Sequence, residues 1–307
     1  MSTAIISHQQ CRRHKMGDDH PEDPSRIDAI SDRLIASGLE YSLDHFDANI
    51  IQREDLLRVH DAAYLAQLDA MLPSEGLVAV DPDTQMCPNT LKAAERAAGA
   101  AVQAVSLVCG SNHRAVFCNI RPPGHHAHRA QAGGFCFYNN VAVAASYALD
   151  KLGLERVAVI DFDVHHGDGT EDIFKDDQRV MFCSIFQHPF FPHGNTERPN
   201  KYHIKVPLAA GAGSDEFRQV VTNQWLPALL EFKPQLLFIS AGFDAHRDDD
   251  MGGINLVDTD YRWVTEQLVG VAEQLSCQGI VSVLEGGYVP DVLGRSAVAH
   301  IKALARL

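Results

Sequence analysis

No Cys-x-x-Cys pair occurs among the seven cysteines, and an odd count of them reads as neither a disulfide framework nor a thiolate zinc site. Cys109, Cys118 and Cys183 stand in apolar runs, where a reduced cysteine is a small buried hydrophobe. Positive charge is also scarce. Lys and Arg total 26 against 40 Asp and Glu, a net charge of −14. That balance argues against a nucleic-acid binder that works by neutralising phosphates, and gives no reason to expect a membrane surface as partner. An acidic exterior serves solubility, and it would also attract a cationic substrate. No run is apolar enough to span a bilayer. The start, Met-Ser-Thr-Ala-Ile-Ile-Ser-His, lacks a basic segment and a long apolar stretch, so no secretory signal is expected and the cytoplasm is the expected compartment. Repeats, linkers and low-complexity segments are missing too. The reading is one domain over residues 1–307, with hydrophobic and charged fractions of 46% and 21% that suit an ordinary globular core.

What is present is a repeated grammar of short apolar runs, each followed by a burst of polar residues. Ala115–Cys118 leads to Arg121-Pro-Pro-Gly-His125-His126; Val157–Ile160 to Asp161-Phe-Asp-Val-His-His-Gly-Asp-Gly169; Leu236–Ile239 to Ser240-Ala-Gly-Phe-Asp244-Ala-His246; and Ile280–Leu284 to Glu285-Gly-Gly-Tyr288. Thr3–Ile6 and Met181–Phe186 are further apolar runs. Helical patterns lie between them, at Ile27–Leu34 with a terminating Gly38, over 55–72, Leu91–Val108, Val141–Lys151, Asp215–Phe232 and Thr259–Leu275. Asp23 before Pro24 fits a helix cap followed by proline at the first turn. Strands buried on both faces and alternating with helices imply right-handed crossovers and a parallel sheet, with chemistry at the carboxyl ends of the strands.

The polar bursts carry convergent parts. Asp163 and His165 are two apart, so in extended chain both side chains leave on one side. With Asp244 from another strand end they make two carboxylates and an imidazole, a set suited to Zn²⁺ with a fourth position left open. His125 and His126, in tandem after Pro-Pro-Gly, have spare carboxylates to pair with in Asp161 and Asp168. An Asp on one ring nitrogen fixes the tautomer and raises the basicity of the other. Tyr288 could donate to a developing oxyanion, or be a surface aromatic beyond a glycine turn. Phe135 and Phe190-Phe191 either line an apolar tunnel or pack their loops down.

Arg121–Ala127, Gly134-Phe-Cys-Phe-Tyr-Asn-Asn140, Asp161–Thr170, Gly242-Phe-Asp-Ala245 and Glu285–Tyr288 together resemble the histone deacetylase family of zinc amidohydrolases. The resemblance runs from about His20 to Tyr288, and the Ser240–His246 segment is closer to class II and bacterial deacetylase-like members. It implies the arginase/deacetylase α/β fold, a central parallel sheet of about eight strands between helices. It implies one catalytic Zn²⁺ on Asp163, His165 and Asp244. His126 would be the principal base and acid, with His125 as its electrostatic partner and Asp168 and Asp161 behind them. Tyr288 would polarise the scissile carbonyl. Gly134, Phe135, Phe191 and Met251 would form the acyl-lysine tunnel, and Arg26 would stand near an internal acetate channel. K⁺ would bind Asp161 and Ser184 with the backbone of Asp163 and His165. A second K⁺ would fall near Phe174, Asp177, Val180 and Tyr202.

Asp250 replaces an expected proline before Met251, His193-Gly194-Asn195-Thr196 a more glycine-rich run, and Val289 an asparagine. These departures bear on the tunnel entrance and so on substrate. The expected activity is hydrolysis of N-acetyl-lysine side chains in peptides or proteins. The rival inside the fold is acetylpolyamine hydrolysis, since an acetylated small amine offers the same amide on a slim cationic stem. An arginase-like dinuclear ureohydrolase and a non-catalytic acyl-lysine binder are the more distant alternatives. Neither nucleic acid nor membrane is expected as a partner, while a homo-oligomer is compatible with the sequence.

Overall fold

The computed structural model describes residues 2–193 and 201–307. Its ten strands are β1 (Ser2–Ser7), β2 (Leu43–Asp47), β3 (Val78–Ala79), β4 (Gln85–Met86), β5 (His113–Cys118), β6 (Val157–Asp161), β7 (Val180–Gln187), β8 (His203–Leu208), β9 (Leu236–Ala241) and β10 (Ile280–Leu284). Eight of them form one sheet in the order β2-β1-β5-β10-β9-β6-β7-β8, every pairing parallel. β3 and β4 are a small antiparallel ribbon apart from it. The expected eight-stranded α/β architecture is therefore present. The apolar runs read from sequence are the six inner strands. The edge strands β2 and β8 escape that reading because a half-exposed edge needs no continuous apolar run, and their burial is broken accordingly.

The helices are α1 (Ser25–Ser37), α2 (Arg53–Leu56), α3 (Ala62–Met71), α4 (Thr90–Gly110), α5 (Asn140–Asp150), α6 (Asp168–Phe174), α7 (Ser214–Val220), α8 (Leu226–Phe232), α9 (Asp258–Gln274) and α10 (Pro290–Ala305). A π-helical turn, Val221–Trp225, joins α7 to α8. α1 ends as expected at Gly38, which takes the left-handed conformation at φ 73°, but it begins one residue later than expected, with Pro24 at the cap position and Asp23 Oδ1 accepting from Ser25 N at 2.8 Å. The single helix expected over 55–72 is instead two, α2 and α3. Between them the chain bends to carry His60, whose Nε2 accepts from Asn139 N at 2.9 Å, while Asp61 N donates to Arg129 O. Helical periodicity continues across that break, but the tertiary bonds decide the backbone.

Strand alternation divides the core in two. Val157, Val159, Phe182, Phe238 and Val281 face the layer containing α4 and α5. Ala158, Ile160, Cys183, Leu237 and Ile239 face the layer containing α1 and α7 to α10. At about 1.5–3 kcal/mol for each large side chain removed from water, these two layers fix the inner strands firmly. The alanines of α4 let it lie close to the sheet and to α5. The rigid frame matters because β5, β6, β9 and β10 are neighbours in the middle of the sheet. Their carboxyl ends open onto one crevice, where open α/β sheets bind ligands.

Candidate active site

Each of those four strand ends supplies a part. β6 runs out into Asp161, Asp163 and His165, and β9 into Asp244. Ligand atoms of Asp163, His165 and Asp244 lie within 4.8 Å of one another, and all three residues are buried. Backbone donors fix the carboxylates. Asp163 Oδ2 accepts from Gly286 N at 2.8 Å, Asp163 Oδ1 from His165 N at 2.9 Å, and Asp244 Oδ1 from Val164 N at 2.9 Å. Asp244 Oδ2 is buried with no hydrogen-bond partner; its neighbour His165 Nδ1 lies 3.3 Å away without hydrogen-bond geometry. A side chain at Gly286 would run into the carboxylate oxygens of both Asp163 and Asp244, so only glycine fits there.

The charges of this trio ask for a cation. Burial, then the nearby Asp163, pushes the Asp244 carboxyl up to about 7. Burial acts to lower the His165 imidazole, but Asp163 and Asp244 outweigh it and hold the group at about 9. Burial would raise Asp163, yet His125 and His165 bring it below the usual carboxylate range. Two dehydrated carboxylates, an imidazole and an orphaned lone pair fit a divalent ion that accepts nitrogen and oxygen ligands.

β5 delivers the histidine pair. His125 Nδ1 lies 3.0 Å from Asp161 Oδ2, and His126 Nδ1 lies 2.6 Å from Asp168 Oδ1. The rings are 4.1 Å apart, centroid to centroid. Their environments separate them. Burial disfavours charge on His125, but Asp163 and Asp161 reverse this and lift it well above the ordinary value. Burial and the charge on His125 push His126 down to about 4. The two neighbouring imidazoles are thus pushed in opposite directions, His125 toward the charged form and His126 toward the neutral one. Gly134, in the left-handed region at φ 55°, brings its backbone against the His126 ring, where a Cβ would collide.

The pocket over these groups has a volume of about 230 Å³ and is lined by His126, Gly134, Phe135, His165, Phe190, Phe191, Met251 and Tyr288, with Asp83 and Asp250. Phe191 meets the rings of His126 and His165 edge-on at 5.1 and 6.0 Å, and Phe135 meets Tyr288 at 5.9 Å. A larger groove, about 690 Å³, lies at the opposite ends of β1, β5 and β10 around His113 and Gln278, away from all of this chemistry. His193 is exposed, and Gly194–Thr196 lie outside the described residues.

Arg26 sits under Tyr288. Its guanidinium carbon is 4.9 Å from the tyrosine ring centroid. Nε donates to Gly287 O at 2.6 Å, Nη1 to Glu22 Oε1 at 3.1 Å, and Nη2 to Glu285 O. All three nitrogens hold protein atoms. Ser184 pairs with Asp161 across β6 and β7, both fully buried, and its Oγ lies 3.1 Å from His166 Nδ1. Backbone bonds run from Asp177 N to Phe174 O and from Val180 N to Asp177 O, while Tyr202 O accepts from Phe182 N, two residues along β7 from Val180.

Three groups escaped the sequence reading. Glu285 appeared there only inside a motif; its Oε2 accepts from Gly124 N (2.7 Å) and His125 N (3.1 Å), and its Oε1 from Ser240 Oγ (3.2 Å). Burial lifts its carboxyl to about 7. Asp249 accepts from Tyr288 N, Val289 N and Met251 N, tying the rim to the tyrosine turn. Phe190, expected as a tunnel wall or a loop-packing aromatic, lines the pocket and stacks on His165 at 5.4 Å with the rings 19° apart. His128 lies 3.1 Å from the free oxygen of Asp168. The signals were faint: a glutamate opening a glycine-rich motif, one acid in an acidic run, and a histidine among many.

Residues 20–304 match the model of the histone deacetylase domain. The chain is 36% identical to the histone deacetylase-like amidohydrolase of Pseudomonas aeruginosa, over 93% of this chain and 77% of the relative. It is 33% identical to the polyamine deacetylase HDAC10 of Mus musculus, over 99% of this chain and 48% of that longer protein. Among solved structures, the HDA15 HD domain superimposes with a TM-score of 0.92 at 30% identity, covering 99% of this chain and 88% of the other.

Proposed function

The chain belongs to the histone deacetylase family, and from that premise we propose that it hydrolyses the amide of N-acetyl-lysine side chains in peptides or proteins, with one zinc ion held by Asp163, His165 and Asp244. The observation that carries this reading is that His126, His165 and Tyr288 line one narrow pocket with aromatic walls. Such a pocket suits an uncharged amide at the end of four methylenes.

A zinc ion in the site supplies a Lewis acid that polarises the carbonyl and makes water a nucleophile near neutral pH. The protein's own groups do the rest. His126 has Nδ1 committed to Asp168, so Nε2 takes the proton from the attacking water and later delivers it to the departing amine. His125, paired with Asp161, stands beside His126 as its electrostatic partner. The Tyr288 hydroxyl, kept protonated by burial, donates to the oxygen as negative charge develops. Arg26 and Asp249 grip the backbone on either side of that tyrosine, and we assign Arg26's part in the reaction, including any handling of acetate, to this position. Gly134, Phe135, Phe191 and Met251 exclude water from the stem.

We place K⁺ at Asp161 and Ser184 with the backbone carbonyls of Asp163 and His165. The support is the side-by-side register of two fully buried oxygen-bearing residues. A second K⁺ is assigned near Phe174, Asp177, Val180 and Tyr202, supported by the backbone bonds that link the first three of these residues.

Removing the tyrosine hydroxyl is a clean test of the mechanism. Tyr288→Phe should keep the metal and lower kcat by about 10²–10³-fold, the scale for one lost oxyanion donor. Unchanged turnover would remove Tyr288 from the chemistry.

A second reading is supported by Asp83 and Asp250 at the mouth: an acetylated polyamine carries positive charge beyond the amide, and both carboxylates would meet it. kcat/KM for an acetyl-lysine peptide, measured beside N-acetylputrescine and acetylspermidine, separates the two. The peptide is expected to be favoured by at least about tenfold, or about 1.4 kcal/mol in transition-state binding. A reversed ratio would make polyamines the substrate. An arginase-like site needs further carboxylates to bridge two ions, and among the described residues only this one three-ligand group of His, Cys, Asp or Glu is found.

A further inference from the structure

Asp168 carries two histidines, not one. Oδ1 lies 2.6 Å from His126 Nδ1 and also accepts from Gly169 N at 3.1 Å. Oδ2 lies 3.1 Å from His128 Nε2. The other nitrogen of His128, Nδ1, lies 3.4 Å from Asp172 Oδ2. Asp172 in turn takes Lys175 Nζ at 3.1 Å and Arg129 N at 3.3 Å. His126 is buried, whereas the His128 side chain is 32% exposed. A line of groups therefore runs from the base in the pocket, through one carboxylate, to an imidazole in contact with water.

We propose that His128 is a positioning residue that sets the strength of the Asp168–His126 hydrogen bond, and through it the basicity of His126. The charged groups facing the ring are Asp168 and Asp172, both on α6, with Lys175 beyond Asp172 and His126 beyond Asp168. With a carboxylate at each ring nitrogen, the doubly protonated ring has a donor for both, and the Asp168 hydrogen bond with both carboxylate charges raises its affinity for a proton. An imidazolium on Oδ2 draws the carboxylate's charge away from Oδ1, and the bond to His126 weakens. Loss of that proton returns the charge to Oδ1 and strengthens the base. Among the described residues nothing comparable faces His125, whose partner Asp161 is fully buried.

The kinetic arm of this proposal rests on the deacetylase reading; the spectroscopic arm does not. In zinc-loaded protein, the proton NMR resonance of His126 Nδ1–H reports the strength of its bond to Asp168. It should move downfield as pH rises through the titration of His128. His128→Gln, a neutral donor, should abolish that movement and hold the downfield position; His128→Lys, a fixed cation, should hold the upfield one. kcat for an acetyl-lysine peptide at alkaline pH should then be about three- to tenfold lower in the Lys variant than in the Gln variant, corresponding to about half to one unit of base strength. An Nδ1–H resonance that moves identically in all three proteins overturns the proposal, and so does equal loss of activity with unchanged pH profiles, which marks a merely structural residue. A wild-type protein that turns over no acyl-lysine substrate, yet shows the predicted NMR pattern, supports the positioning role and overturns only the deacetylase reading.

Discussion

Asp244→Ala should leave a folded protein that retains no stoichiometric zinc and has lost about a thousandfold or more of its activity. The expectation follows from how the ligand is held. Asp244 Oδ1 is committed to Val164 N, and Oδ2 is the orphaned oxygen of the trio. Alanine removes that orphaned oxygen and one of two negative charges in the cluster; it also removes the acceptor of Val164 N, at a cost of about 1–3 kcal/mol. Lewis-acid stabilisation is worth several kcal/mol, and at about 1.4 kcal/mol per factor of ten its loss gives the quoted scale. The fold is expected to survive because the residue adds no packing to either layer of the core. Metal analysis after desalting, alongside kcat, is the measurement. Full occupancy with full activity would overturn the ligand assignment.

The same cluster sets a pH dependence for metal uptake in the unaltered protein. With no cation bound, Asp244 takes up a proton near pH 7 and His165 near pH 9. Protons and metal compete for these atoms, so affinity should fall as pH decreases, and binding should release protons. Calorimetry in buffers of different ionisation enthalpy would count them; no proton release near pH 7 would contradict the assignment.

Much of this site was legible in the sequence because a parallel sheet puts its chemistry at strand ends. Once the inner strands are recognised by their apolar runs, the residues that follow must converge. Asp163 and His165 follow β6, Asp244 follows β9, the histidine pair follows β5, and Tyr288 follows β10. The pairing of His125 with Asp161 and His126 with Asp168 was likewise an expectation, and the structure brings those atoms within 3.0 and 2.6 Å. Groups that act through backbone contacts left no such trace. Glu285 works by receiving Gly124 N and His125 N, and Asp249 by receiving Tyr288 N. Neither bond has a sequence spacing, since each joins segments remote in the chain or set by one loop's course. Helix boundaries failed for a related reason at His60, where a bond to Asn139 N outweighs local periodicity. The edge strands failed because half-exposure dilutes their pattern.

Glu22 was read only as part of a polar loop, yet replacing it should cost more stability than any other single polar change considered above. Its carboxylate is fully buried. Arg121 reaches it through Nε and Nη2, both at 2.6 Å, Arg26 through Nη1 at 3.1 Å, and His14 Nε2 lies 3.4 Å away. Arg121 also donates to the carbonyls of Cys11, His14 and Glu22, so this one carboxylate fastens the N-terminal loop to the end of β5. Glu22→Ala strands two buried guanidinium groups without a counter-ion. Breaking a buried pair in that way typically costs about 3–5 kcal/mol, a large part of a domain's net stability.

The pH dependence of that stability has a definite sign. Burial works to raise the Glu22 carboxyl, but the Arg121 guanidinium and His14 bring it well below the ordinary 4.5. Below that ordinary value the unfolded chain binds a proton that the folded chain does not, so stability present at neutral pH is lost as pH falls through the carboxylate range. Glu22→Ala should therefore shift the urea midpoint strongly at pH 7 and progressively less on acidification. The loss should also reach the active site, because Arg26 is left with Gly287 and Glu285 but without its anion, and Tyr288 rests on that turn. An equal urea midpoint in variant and parent at pH 7 would mean that desolvation of the ions cancels their attraction. Glu22 would then be retained for placing Arg26, and the variant should show its effect in kcat alone.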